Sequence, residues 1–192
     1  MLNPFSTRFV RPGALPYFFP HGESADQLAA KFAAQGWRGQ IIGPHGSGKS
    51  TLLAALAPSI ERSGRKTIHF ALHDGERRLP ITAEQCRALS ADDVLVIDGF
   101  EQLSVWNRWR ISRLCRRRGC GLLVTAHADA GLPKLYRTDT HRELARRLVE
   151  LLAPGDETIA AADIDRAFSA RGGDLRETLF ELYDLYEQRR LR

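Results

Sequence analysis

Nine consecutive residues, from Gly43 to Thr51, have the composition and spacing of a phosphate-binding loop. Residues 43–50 read GPHGSGKS and match the pattern GxxxxGK[ST] without departure. Glycines let the backbone turn so that successive N–H groups point at phosphate oxygens, and a helix beginning at Lys49 would direct the positive end of its dipole to the same place. We expect the Lys49 ammonium to reach the β- and γ-phosphates and the Ser50 hydroxyl to bind Mg²⁺. The predicted nucleotide-binding residues are Gly43, Pro44, His45, Gly46, Ser47, Gly48, Lys49, Ser50 and Thr51.

A carboxylate downstream of this loop ends a run of apolar residues. Residues 94–98 read VLVID, which is typical of a buried strand that ends in an acid. A carboxylate at the carboxyl edge of such a strand, beside a phosphate loop, would hold Mg²⁺ through water. The alternative role for a strand-end aspartate is to cap a helix. We predict that Asp98 and Ser50 are the magnesium residues.

The segments that must position these residues alternate between strand and helix. Predicted strands cover 37–42, 67–72, 94–98, 120–127 and 134–138, and predicted helices cover 25–35, 49–60, 82–89, 103–118, 141–152, 162–170 and 174–190. Because the strands are apolar nearly throughout, we expect a parallel sheet covered by helices on both faces.

The chain is predicted to have three segments. Residues 1–22 are rich in proline and aromatic residues, which predicts an extended arm packed on the domain. Residues 23–140 form the predicted nucleotide-binding core. Residues 141–192 are predicted to be all-helical, either as a C-terminal lid or as outer helices of the same domain.

Composition excludes several classes of protein. With 192 residues and 43% hydrophobic residues, the chain can bury a core and is not wholly disordered. No apolar run approaches the ~20 residues of a membrane helix, and the start of the chain lacks the pattern of a secretory signal. We therefore expect a cytoplasmic protein with its three cysteines reduced.

Taken together, the loop, the VLVID strand and the strands TIHFAL and LLVTAH on either side of it resemble the P-loop NTPases. They resemble the branch with an additional strand between the Walker A and Walker B strands, which includes the AAA+ and STAND ATPases. The resemblance covers residues 38–138 at motif level. It implies an α/β three-layer sandwich with a parallel sheet of about five strands, a small C-terminal helical lid, and the ligands ATP and Mg²⁺.

The same resemblance suggests four further catalytic residues beside Lys49. Gly99 stands directly after Asp98, where AAA+ and ABC proteins usually have glutamate. The form DGFEQL instead resembles the STAND pattern, which implies Glu101 as the base that polarises water. Thr125 and His127 end the LLVTAH strand, where related ATPases place residues that sense the γ-phosphate. Arg176, in RGGDLRETL, matches the second sensor of AAA+ proteins.

One segment is strongly basic. Residues 108–118 read RWRISRLCRRR, with six arginines and no acid, in a chain of net charge +5. Such a segment favours contact with nucleic acid, an acidic protein or a neighbouring subunit of a homo-oligomer, or else it is a solvated helix face. Spacing predicts that Leu103, Trp106, Ile111 and Leu114 form its buried side.

Three functions fit these patterns. The first is a small ATPase that couples Mg·ATP hydrolysis to a partner. The second is a small-molecule P-loop kinase, in which the Walker B strand usually lies next to the P-loop strand. The third is a nucleotide-switched adaptor that does not hydrolyse. A GTPase is disfavoured because the chain has no NKxD motif, and an ABC transporter subunit because it has no LSGGQ-like signature.

Overall fold

The computed structural model describes residues 3–11, 13–20 and 22–191. Residues 1, 2, 12 and 21 of the predicted arm lie outside the described residues. The strands are β1 (Arg38–Ile42), β2 (Lys66–Ala71), β3 (Asp93–Asp98), β4 (Gly121–Ala126) and β5 (Lys134–Arg137). The helices are α1 (Thr7–Val10), α2 (Ala25–Ala34), α3 (Lys49–Arg62), α4 (Ala83–Ala88), α5 (Val105–Arg118), α6 (Arg142–Leu152), α7 (Ala161–Ala170) and α8 (Leu175–Arg190), with a 3₁₀ turn at Phe100–Gln102.

The chain divides into two compact units. The sheet unit comprises Phe19–Gly43 and Leu52–Arg137. The helical unit comprises Met1–Phe18, Pro44–Thr51 and Thr138–Arg192. The division differs from the three predicted segments because most of the phosphate loop groups with the arm and the C-terminal helices.

All five strands of the sheet unit are parallel, in the order β2-β3-β4-β1-β5. Strand β4 therefore lies between β1, which leads into the phosphate loop, and β3, which ends at Asp98. This confirms the predicted additional strand between those two. The β3–β4 register pairs Ile97 with Val124, so the next residues, Asp98 and Thr125, are neighbours at the carboxyl ends of the strands.

Helices cover both faces of this sheet. On one face, a Cβ added to Gly39 would lie 3.2 Å from the Phe32 ring, so α2 lies close against β1. On the other face, Ile111 and Cys115 of α5 join Leu95 and Leu122 in one buried cluster. The predicted α/β three-layer fold with a five-stranded parallel sheet is confirmed.

The helical unit has a core of its own, built from α6, α7, α8 and the arm. Leu148, Phe168 and Leu182 belong to this buried cluster. Phe5 is fully buried in it and meets the Tyr186 ring edge-on, with 5.8 Å between centroids. Phe5 thus anchors the arm in this cluster. The arm is not extended throughout, because Thr7–Val10 forms one helical turn.

Among the described residues, no helix has the length and apolar character needed to cross a membrane.

Candidate functional site

The phosphate loop, residues 43–51, follows β1 and runs into α3. Gly46 and Gly48 have φ angles of 63° and 82°, in the left-handed region that glycine adopts without a steric penalty. Alternation of this kind turns consecutive N–H groups to one side and forms an anion-binding nest. Helix α3 begins at Lys49, so its positive dipole end adjoins the nest. The backbone is therefore shaped to hold phosphate.

Two side chains of the loop bond the loop's own backbone. The Lys49 ammonium donates to the Pro44 carbonyl at 2.7 Å, and the Lys49 side chain is almost wholly buried. The Ser47 hydroxyl donates to the same carbonyl at 2.8 Å and lies 2.6 Å from the Thr138 hydroxyl. Ser50 and Thr51 are half-buried in the first turn of α3, and Pro44 and His45 are exposed.

An acidic side chain of the helical unit lies against this loop. A Cβ added to Gly46 would sit 1.8 Å from Oδ1 of Asp174, so only glycine fits at this position. Asp174 is the N-cap of α8 and accepts a hydrogen bond from the Glu177 N–H at 3.0 Å. Arg176, the predicted second sensor, is exposed two residues further on. The sequence analysis did not identify Asp174, because an aspartate directly before a helix is usually interpreted only as a helix cap.

The arm also reaches the loop. The Tyr17 ring would lie 3.7 Å from a Cβ at Gly48, and Phe18 lies under the Arg147 guanidinium at 4.1 Å from its ring centroid. A cavity of about 650 Å³, lined by Phe9, Leu15 and Tyr186 among others, opens in the same unit.

In the sheet unit, Asp98 and Thr125 form the centre of a strand-end cluster that also contains Glu101 and His127. The Thr125 hydroxyl donates to Asp98 Oδ1 at 2.5 Å and accepts from the Gly99 N–H at 2.9 Å. Thr125 is fully buried. Its single hydroxyl proton is used on Asp98, so Thr125 orients the carboxylate and is not a free donor. Asp98 Oδ2 accepts no hydrogen bond from the described residues, which leaves it available to metal-bound water.

Glu101 and His127 are paired. His127 Nε2 lies 2.9 Å from Glu101 Oε1, and His127 Nδ1 lies 3.1 Å from the Gly43 carbonyl. A carbonyl oxygen only accepts, so Nδ1 carries a hydrogen. Glu101 Oε2 is buried and has no hydrogen-bond partner among the described residues.

The turn after Asp98 explains why the acid sits at position 101. Gly99 has a φ of 80°, and a Cβ there would lie 2.9 Å from the Leu72 carbonyl. A glutamate at position 99 is therefore excluded, and the 3₁₀ turn carries the carboxylate at 101 instead. Arg108 fixes the turn by donating to the carbonyls of Leu103 at 2.8 Å and Glu101 at 2.5 Å. Sequence reasoning missed this role and counted Arg108 in the basic surface.

The donor chemistry of this cluster suits magnesium. The described residues contain no group of three or more His, Cys, Asp or Glu side chains that could hold a metal ion. Mg²⁺ bound with a nucleotide takes only one or two protein oxygens, and phosphates and waters supply the rest. Asp98 can supply one such protein oxygen. Thr125 fixes one oxygen of its carboxylate, and the other accepts no hydrogen bond from the described residues.

Comparison with known proteins leaves the family open. The chain matches no protein-family model and no curated protein. It does match solved structures, and one of them is C. elegans PCH-2. The two are 12% identical, over 88% of this chain and 67% of that one, with a TM-score of 0.36. At that TM-score the likeness carries no argument about function, which therefore rests on this chain's own residues.

Proposed function

We propose that the chain binds Mg·ATP through residues 43–51 and hydrolyses it to ADP and phosphate. The observation that carries this proposal is the loop itself. Gly46 and Gly48 take left-handed backbone angles directly before a helix that begins at Lys49. In this geometry, backbone N–H groups, the helix dipole and a lysine all favour a bound polyphosphate.

Each residue of the strand-end cluster has a role in this proposal. Asp98, oriented by Thr125, would bind a magnesium-bound water. The proposal that Asp98 and Ser50 serve the same Mg²⁺ rests on the order of the motifs in the sequence. Glu101 is the general base that takes a proton from the attacking water. His127 holds Glu101 in place through Nε2. Arg176 is the candidate that would meet the γ-phosphate.

The strand order favours hydrolysis over small-molecule phosphorylation. Kinases usually place the Walker B strand next to the P-loop strand, whereas β4 separates β3 from β1 here. A non-hydrolysing adaptor would not need a buried carboxylate oxygen beside a histidine, which Glu101 supplies. Coupling of hydrolysis to a partner is part of the proposal.

Release of inorganic phosphate from ATP by the full chain tests this function. We expect Mg²⁺-dependent release that is lost in Lys49→Ala, because that change removes the ammonium that would meet the β- and γ-phosphates. The control is Lys134→Ala, an exposed lysine on β5. ADP formation only with an added small acceptor, without free phosphate, would support the kinase instead. ATP binding without any turnover would support the adaptor.

A further inference from the structure

One side of α5 is exposed and composed only of arginine, tryptophan and valine. Its members are Val105, Trp106, Trp109, Arg110, Arg113, Arg116 and Arg117, all exposed. At about 100° per residue, they fall within a stripe roughly 140° wide that runs about 18 Å along the helix. We call this stripe the α5 face. It carries four positive charges and no acid.

The two tryptophans of the α5 face are presented to solvent. Trp106 is 61% exposed and Trp109 is 57% exposed. The Arg110 guanidinium lies 4.5 Å from the Trp106 ring centroid, and the Arg113 guanidinium lies 5.4 Å from that of Trp109. These contacts hold the rings and the charges side by side on one surface.

The arginines of the α5 face make no ion pair with any described residue. Several arginines of the helical unit behave differently. Arg146 pairs with Asp165, and Arg171 pairs with Glu181. No described carboxylate pairs with the arginines of the α5 face, whereas carboxylates of the helical unit pair with Arg146 and Arg171.

A half-buried cation near the face points the same way. Arg38, at the start of β1, has a buried Nη2 without a hydrogen-bond partner among the described residues. Burial lowers the pKa of its guanidinium, and the charge of Arg116 lowers it further. A partly buried guanidinium beside a second positive charge is destabilised unless an anion compensates it. An anion at this end of α5 would stabilise both.

From these features we infer that the α5 face binds single-stranded nucleic acid. The arginines contact backbone phosphates, and bases stack on Trp106 and Trp109. Arginine and exposed aromatic rings together are what single-strand binding requires, since every base has a stackable face. Arginine and tryptophan are also enriched at protein interfaces, but four arginines without an acid on one stripe form a surface of a single charge sign, which favours a polyanion. Arg108 is excluded from the face, since it bonds the carbonyls of Leu103 and Glu101.

The test is anisotropy of a labelled oligo(dT) titrated with the full chain at low salt, without nucleotide. We expect binding whose logarithm falls linearly with the logarithm of salt. In R113Q/R117Q the slope should shrink by about 1.4, since each single-strand phosphate contact contributes about 0.7. The matched control, R11Q/K134Q, removes the same charge at two exposed positions outside α5 and should keep the slope.

Stacking is tested separately. Trp109→Ala should weaken oligo(dT) binding about tenfold or more, because one base loses its stacking partner. Phe180→Ala, which removes another partly exposed ring on α8, should leave it unchanged. Since binding is measured without ATP, this result is independent of whether the chain hydrolyses ATP.

Three results would overturn the inference. The first is no oligo(dT) binding at low salt. The second is equal weakening by R113Q/R117Q and by R11Q/K134Q. The third is that duplex DNA binds as tightly as oligo(dT) and that Trp109→Ala does not change the affinity for oligo(dT). Binding would then depend on charge alone, without base stacking. A different result would assign the face to a second copy of this chain. In that case sedimentation would show self-association that R113Q/R117Q abolishes, and oligo(dT) would not bind.

Discussion

The phosphate loop and the strand-end cluster hold their polar side chains in different ways. In the loop, Lys49 and Ser47 both donate to one backbone carbonyl, that of Pro44. In the cluster, the side chains bond one another, as Thr125 does with Asp98 and His127 with Glu101. Apart from the contact between the Ser47 and Thr138 hydroxyls, these loop side chains therefore bond the loop's own backbone. The cluster is fixed before any ligand arrives, as preorganised catalytic groups are.

This difference predicts that the two regions fail separately. Changes in the loop should reduce nucleotide affinity, while changes in the cluster should reduce turnover and leave affinity intact. The predictions below test that separation, beginning with the largest effect.

Glu101→Gln should slow ATP turnover by roughly 10²-fold or more, as expected when a general base is lost. Glutamine keeps the size of the side chain, so ATP affinity should not change. Steady-state phosphate release and ATP titration of the same preparation measure the two effects. Normal turnover in this variant would remove Glu101 from the mechanism and leave His127 as the nearest candidate.

Thr125→Val should lower turnover less, by roughly tenfold, and destabilise the fold by about 1–3 kcal/mol. The hydroxyl that orients Asp98 is lost, and the partly buried Gly99 N–H loses its acceptor. Turnover should then require more Mg²⁺. Thr125→Ser keeps the hydroxyl and should need no more Mg²⁺ than the wild type. An unchanged Mg²⁺ requirement in the valine variant would mean that Thr125 does not act through Asp98.

Asp174→Asn should tighten ATP binding by about fivefold. Repulsion between two unit charges about 4 Å apart in a high dielectric is about 1 kcal/mol, and the substitution removes it. The carboxylate lies against Gly46 and would repel phosphate. Asparagine caps helices as well as aspartate does, so stability should not change. Glu177→Gln, on the first turn of the same helix, is the control. Weaker binding in Asp174→Asn would show that the carboxylate assists the ligand.

Much of the fold could be predicted from the sequence because its signals are local. Ser24 caps α2 and Thr82 caps α4, and both helices begin at the residue expected or one beyond it. The position of β4 between β1 and β3 was implied by the resemblance to P-loop NTPases. The loop was found because its residues are contiguous and its two left-handed positions are glycines.

What could not be predicted depends on contacts between distant segments. The resemblance to P-loop ATPases suggested Glu101 and His127 but could not predict their 2.9 Å contact. That contact brings together residues from two different connections of the sheet. The prediction that Trp106 is buried was wrong. Helix α5 begins only at Val105, so Leu103 lies outside it, and Trp106 lies about 140° around the helix from the buried Ile111. The predicted buried side counted Leu103 as a helix residue, and this placed Trp106 on the buried side incorrectly.

The central claim is that residues 43–51 bind the phosphates of Mg·ATP. Calorimetric titration of Mg·ATP into the full chain and into Lys49→Ala tests it most directly, with Lys134→Ala as the control for loss of a lysine. The account predicts that Lys49→Ala weakens binding by an order of magnitude or more, because the ammonium that meets the β- and γ-phosphates is gone. The control should bind as the wild type does. Equal affinity in all three proteins would contradict the claim.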